Sequence, residues 1–94
     1  MGLLFEWDEG KSRHNVRKHG VTFEEASTIF GDPLSLTIDD PGPSIRELRW
    51  VTLGFSAKHR LLVVVHSDRG SRIRISSARM ATRHERETYE KGEA

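Results

Sequence analysis

Residues 48–55, 61–66 and 72–77 each read as a β-strand, and so little chain separates them that only turns can join them. A parallel connection needs a crossover of a dozen or more residues. The turn through Ala57 to Arg60 and the Arg69-Gly70 turn are far shorter, so the three runs must pair as an antiparallel meander. An earlier run, residues 34–38, alternates Leu34, Leu36 and Ile38 and adds a further strand. Residues 3–7 read as a short opening strand.

Helices occupy the chain before and after this sheet. Asp8 is placed to cap a helix that runs to about His19 and stops at Gly20, and this helix is polar nearly all round. Thr22-Phe23-Glu24-Glu25 is a capping box that opens a second helix with Phe23, Ala26, Ile29 and Phe30 on its apolar face; Gly31 and Pro33 end it. Thr82-Arg83-His84-Glu85 repeats the capping-box pattern and starts a last helix to about Lys91. The expected class is α+β, an antiparallel sheet of about four strands with two N-terminal helices and a C-terminal helix, the helices lying on one face. Residues 1–94 are expected to form a single domain, since a chain of this length builds only one small core. The piece Asp39-Asp40-Pro41-Gly42-Pro43-Ser44 is linker-like but too short to separate two domains.

With no cysteine, a disulfide framework, a thiolate nucleophile and a zinc-thiolate site are all excluded, and a reducing cytosol is the expected compartment. The longest apolar stretch, residues 61–65, is too short to cross a bilayer, so a soluble, cytoplasmic protein without membrane contact is expected. The net charge is +1, yet it is unevenly spread: residues 58–86 carry eight Lys or Arg against Asp68 and Glu85. Six arginines fall within residues 69–86. Strict alternation puts Arg72, Arg74 and Ser76 on one face of the last strand and Ile73, Ile75 and Ser77 on the other. Arg79, Arg83 and Arg86 follow at helical spacing and share one helix face if the helical register starts as early as Arg79; a basic surface suited to phosphate would then run from the sheet onto the helix.

In order along the chain stand Trp7-Asp8 with Lys11 and Asn15, the blocks Lys18-His19-Gly20-Val21 and Phe23-Glu24-Glu25-Ala26, Asp32-Pro33-Leu34, and Arg74-Ile75-Ser76-Ser77-Ala78-Arg79 with Tyr89-Glu90. On these pieces the whole chain resembles the BrnT family of toxins from type II toxin-antitoxin modules. The resemblance implies a RelE-like fold and an endoribonuclease that cleaves RNA and arrests translation. It also implies a BrnA-like antitoxin partner in a two-plus-two complex, with DNA bound only through that antitoxin.

Metal-free RNA cleavage needs a base near the 2′-hydroxyl, cations to stabilise the phosphorane and an acid for the leaving oxygen. Arg72 or Arg74 on the strand face, with Arg79 at the strand-to-helix junction, are the leading cationic candidates, Arg74 and Arg79 for catalysis, with His19 and His66 as candidate acid or base. Lys11, Asn15 and Lys18 align on one face of the first helix and could grip RNA, together with Arg72, Arg83 and Tyr89. Each has a structural alternative: a solvated strand face for the arginines, a helix C-cap for His19, a core position for His66, and an anchor of the last helix for Tyr89. No histidine pair has metal-ligand spacing with carboxylates, and no cofactor is expected. A non-catalytic nucleic-acid-binding module, or a homologue that has lost activity, is the other function these residues allow. A helix-turn-helix over residues 8–30 is disfavoured, because Glu24 and Glu25 open the helix that would meet DNA.

Overall fold

The computed structural model describes residues 2–39 and 49–92. Its elements are β1 (Leu4–Glu6), α1 (Glu9–His19), α2 (Phe23–Ser27), a 3-10 turn (Thr28–Gly31), β2 (Leu36–Asp39), β3 (Arg49–Phe55), β4 (Leu61–Arg69), β5 (Arg72–Met80) and α3 (Arg83–Lys91). The linker-like piece beyond Asp39, and Leu48 at the expected start of β3, lie outside the described residues.

The local signals act where the residues place them. Asp8 accepts from the Lys11 N–H at the start of α1, and Gly20 ends that helix in the left-handed conformation at φ 68°. Thr22 caps α2 by accepting from the Glu25 N–H, and Thr82 with Glu85 completes a reciprocal capping box on α3. Gly70, at φ 61°, is the first central residue of the two-residue hairpin in which Arg69 lies opposite Arg72.

The sheet has five strands in the order β1-β5-β4-β3-β2. The meander β2-β3-β4-β5 is antiparallel, as the short turns require, but β1 pairs parallel with β5, so the sheet is mixed and has one strand more than the expected four. The crossover from β1 to β5 spans most of the chain, a connection that local sequence signals do not reveal. The second helix is also shorter than expected: after Ser27 it tightens into the 3-10 turn that brings Ile29 into the core.

Two apolar clusters lie on opposite faces of the sheet. Val21, Phe23, Ala26 and Ile29 from the α2 layer pack on Leu62, Val64, Ile75 and Ala78, with Phe5, Trp7 and Phe30 at the margin. Phe23 and Ile29 are fully buried, and each such side chain is worth about 1.5–3 kcal/mol of transfer free energy. The smaller cluster comprises Leu53, Leu61 and Val63 with Val51, Phe55, Ala81 and Tyr89, so α3 covers the face opposite to α2. This corrects the expectation of helices on one face only. The α3 cover is partial and sits over the β3 end of that face, leaving the β5 and β1 end without a helix above it among the described residues.

Candidate functional site

The placement of the arginines turns on one irregularity in β5. Val65 pairs with Ser77 while His66 pairs with Ile75, so Ser76 is an extra residue bulged out of the β4–β5 ladder. Without it, alternation from Arg72 would carry Arg79 to the core face and Ala78 outward. With it, Ile75 and Ala78 both enter the core, and Arg79 and Ser77 join Arg72 and Arg74 on the opposite face. Ser76 itself therefore does not share the arginine face in the regular way expected.

Two of these arginines hold carboxylates. Arg74 Nη1 donates to Glu6 Oε2 at 3.0 Å, across the parallel pairing that sets Glu6 opposite Arg74. Arg79 grips Glu85 with both terminal nitrogens, each at 2.8 Å, and Glu85 also accepts from the Thr82 N–H. The Arg79 guanidinium is the main cause that pulls the Glu85 carboxyl down to about 2. Arg79 thus lies in β5 and not on a helix face with Arg83 and Arg86 as the spacing suggested, because α3 begins only at Arg83, and it ties the end of the strand to the start of that helix. Arg72 is exposed near the hairpin, and Arg83 lies in the first turn of α3, its guanidinium Nε 3.7 Å from Glu87.

Asn15 departs from the expected RNA-gripping face of α1. It is buried, and its amide takes over the role of a strand partner beyond the end of β1. Its Nδ2 donates to the carbonyls of Ala78 (2.8 Å) and Val21 (2.9 Å), while its Oδ1 accepts from the Ala78 N–H at 3.1 Å. Every hydrogen-bonding group of that amide but one lone pair is engaged in holding α1 to β5. Lys11 and Lys18 are exposed on the same helix. His19 is half-buried at the last position of α1, and among the described residues its ring makes no hydrogen bond or ion pair.

His66 lies on the far side of the sheet from Arg74 and Arg79. It is mid-strand rather than at a strand end, Nε2 sits 2.7 Å from Thr52 Oγ1, and its ring meets Phe30 edge-on with centroids 4.9 Å apart. Burial lowers its pKa, so the ring is held neutral, and the structure does not bring it together with the arginines. Tyr89 packs its ring against Phe55 and donates its hydroxyl to Asp32 Oδ2 at 2.6 Å; burial and the Asp32 carboxylate push the phenol up to about 12. It takes the anchoring position anticipated for it as the alternative.

Three residues that matter here were not among the candidate site residues, although Glu25 and Asp32 stand in the blocks that carry the family resemblance. Glu6 reaches the arginine face only through the long-range β1–β5 pairing. Asp32 joins three elements, accepting from the N–H groups of Leu34 and Phe55 as well as from Tyr89. Burial would raise its pKa, and these hydrogen bonds outweigh that and hold it below the usual range. Glu25 is buried in an ion pair with Arg60 and accepts from Ser56, the Arg60 guanidinium being the main cause of its lowered pKa. The sequence reads Glu25 as the acid of a capping box on Thr22; its carboxylate goes to Arg60 and Ser56 instead, so only the Thr22 half of that box forms among the described residues. Among the described residues no three His, Asp or Glu side chains converge as a metal-ligand group. No helix among them is long and apolar enough to cross a membrane.

The fold and site have a counterpart among solved proteins. The 1.1 Å crystal structure of the Brucella abortus ribonuclease toxin, BrnT, superimposes with a TM-score of 0.66 at 21% identity, over 87% of this chain and 100% of that one. That likeness is one of fold. No curated protein matches the chain. A protein-family model described as "Ribonuclease toxin, BrnT, of type II toxin-antitoxin system" matches residues 7–85, from the end of β1 to the Arg79–Glu85 clasp. The chain therefore belongs to the BrnT family of ribonuclease toxins of type II toxin-antitoxin systems.

Proposed function

We propose that this chain is a RelE-like, metal-independent endoribonuclease that cleaves RNA at the arginine face of β5 and thereby inhibits translation. The observation that carries the reading is the Ser76 bulge, which brings Arg79 onto the same face as Arg72 and Arg74, a face that α3 covers only in part. Guanidinium groups bind phosphate oxygens through two N–H donors at once and keep their charge at any physiological pH. Charge develops on the non-bridging oxygens as the 2′-oxygen attacks phosphorus, and donors already aimed at that position stabilise it without reorganising. Arg74 is the leading candidate, because its ion pair uses Nη1 and leaves the rest of the fork for phosphate. Arg79 contributes from the clasp with Glu85, and the exposed side chains of Arg72, Arg83, Lys11 and Lys18 are proposed as further contacts to the RNA. His19, at the end of α1, is the histidine proposed to transfer a proton.

An antitoxin of BrnA type would neutralise the toxin by covering the same face with acidic and apolar residues, in a two-plus-two complex whose DNA contacts come from the antitoxin. The second reading is a non-catalytic RNA-binding module, favoured by the ion pairs that already occupy Arg74 and Arg79. Incubating the purified protein with total RNA in EDTA separates the two. Fragmentation that persists in EDTA and falls by about 100-fold or more in folded Arg74→Ala and Arg79→Ala supports the nuclease. RNA that stays intact with folded wild type, including on translating ribosomes, leaves the binding module.

A further inference from the structure

Cleavage through the 2′-hydroxyl needs a proton acceptor beside the phosphate-binding arginines, and most titratable groups near them are committed elsewhere. Glu85 is clasped by Arg79 through both oxygens and also holds the Thr82 N–H. The Tyr89 hydroxyl is bound to Asp32. His66 faces the opposite layer, against Phe30 and Thr52. Asp68 lies opposite Ile73 and so projects to the other face from Arg72 and Arg74. Glu6 alone among the carboxylates of the strands pairs in register with Arg74 and shares its face. Its side chain is 28% exposed, so it reaches solvent while the strand backbone holds it in place. Only Oε2 is used by Arg74; among the described residues Oε1 accepts no hydrogen bond.

On the reading that this face cleaves RNA, we propose that Glu6 is the general base, taking the proton of the 2′-hydroxyl while Arg74 binds the phosphate next to it. As Glu6 Oε1 accepts that proton, the 2′-oxygen bonds to phosphorus and the bond from phosphorus to the 5′-oxygen breaks. The leaving 5′-oxygen takes the proton that His19 is proposed to supply, the products are a 2′,3′-cyclic phosphate and a free 5′-hydroxyl, and the proton on Glu6 returns to His19 through water, which restores both groups. The ion pair has a second effect: it fixes the spacing between base and phosphate, so acceptor and cation arrive at the substrate as one unit.

The test compares wild type, Glu6→Gln and Glu6→Asp on a single-stranded RNA oligonucleotide, reading kcat, KM and the pH profile. The Gln amide oxygen still accepts from Arg74, so a positioning role for Glu6 survives that change. A general base does not: kcat should fall by about 100- to 10,000-fold, and the acidic limb of the pH profile should vanish. KM should hold or drop, because a negative charge has left an RNA-binding face. Glu6→Asp, which keeps a carboxylate but draws it back from the substrate, should lose about tenfold or more and keep the acidic limb; it carries the test if Glu6→Gln does not fold. Cleavage by either folded variant within a few-fold of wild type overturns the assignment while leaving the nuclease reading intact. Wild-type protein that leaves RNA whole overturns both.

Discussion

Asn15 shows how one side chain can stand in for a strand. Where β1 ends, β5 would expose the N–H and C=O of Ala78 to the interior, and the Asn15 amide satisfies both while also binding the Val21 carbonyl. A buried polar group left without a partner costs about 1–3 kcal/mol. Asn15→Ala strands three such groups at once, and local relaxation will recover part of the loss. The expected destabilisation is about 3 kcal/mol, read from the urea midpoint at unchanged m-value; a change under about 1 kcal/mol would show that water replaces the amide freely. From sequence this residue looked like a partner of Lys11 and Lys18 on a solvent-facing helix side. Helical spacing could report only that the three share a face, and the burial of Asn15 between two exposed lysines depends on β5, whose residues lie far along the chain.

At the scale of elements, α3 is held to the sheet by a clasp at each end. Arg79 and the capping box fix its start, and the Tyr89–Asp32 hydrogen bond fixes its last turns. The capping box was legible, since Thr82 and Glu85 stand at the spacing that the motif requires. The clasp from Arg79 was not, because it depends on the Ser76 bulge turning that arginine outward. Its pH dependence follows from the carboxyl. Glu85 is held at about 2 in the folded protein, below its ordinary value of 4.5. A depressed carboxyl contributes stability that is fully present above the unfolded value and is lost as pH falls toward the folded one. The melting temperature of wild type should therefore fall between pH 4.5 and about 2 more steeply than that of Glu85→Gln, followed by circular dichroism. Parallel curves would mean that the clasp contributes nothing to stability.

The molecule as a whole divides its sheet between burial and charge. One face is closed by α2 and the 3-10 turn, and the other is closed by α3 over β3 and left to arginines over β5. A net charge of +1 gives no hint of such a surface, which arises because the acidic residues lie mainly on other elements. RNA binding should then carry a local electrostatic signature. Each phosphate neutralised on a single strand contributes about −0.7 to the slope of log affinity against log salt, so Arg72, Arg74 and Arg79 together predict about −2. Substituting any one by alanine should flatten the slope by about 0.7. A wild-type slope near zero would place RNA somewhere other than this face.

By itself the sequence determined whatever rests on neighbours along the chain. The capped helices, the antiparallel meander and the presence of a basic C-terminal third all follow from spacing and turn chemistry, and the BrnT resemblance followed from short blocks in order. Tertiary structure alone decided which side each of those residues faces. The β1–β5 pairing that brings Glu6 to Arg74, the bulge that turns Arg79 outward, and the burial of Asn15 and His66 join residues far apart in the chain. Periodicity propagates only until one extra residue resets it, and a polar side chain reads alike whether solvent or a distant backbone group satisfies it.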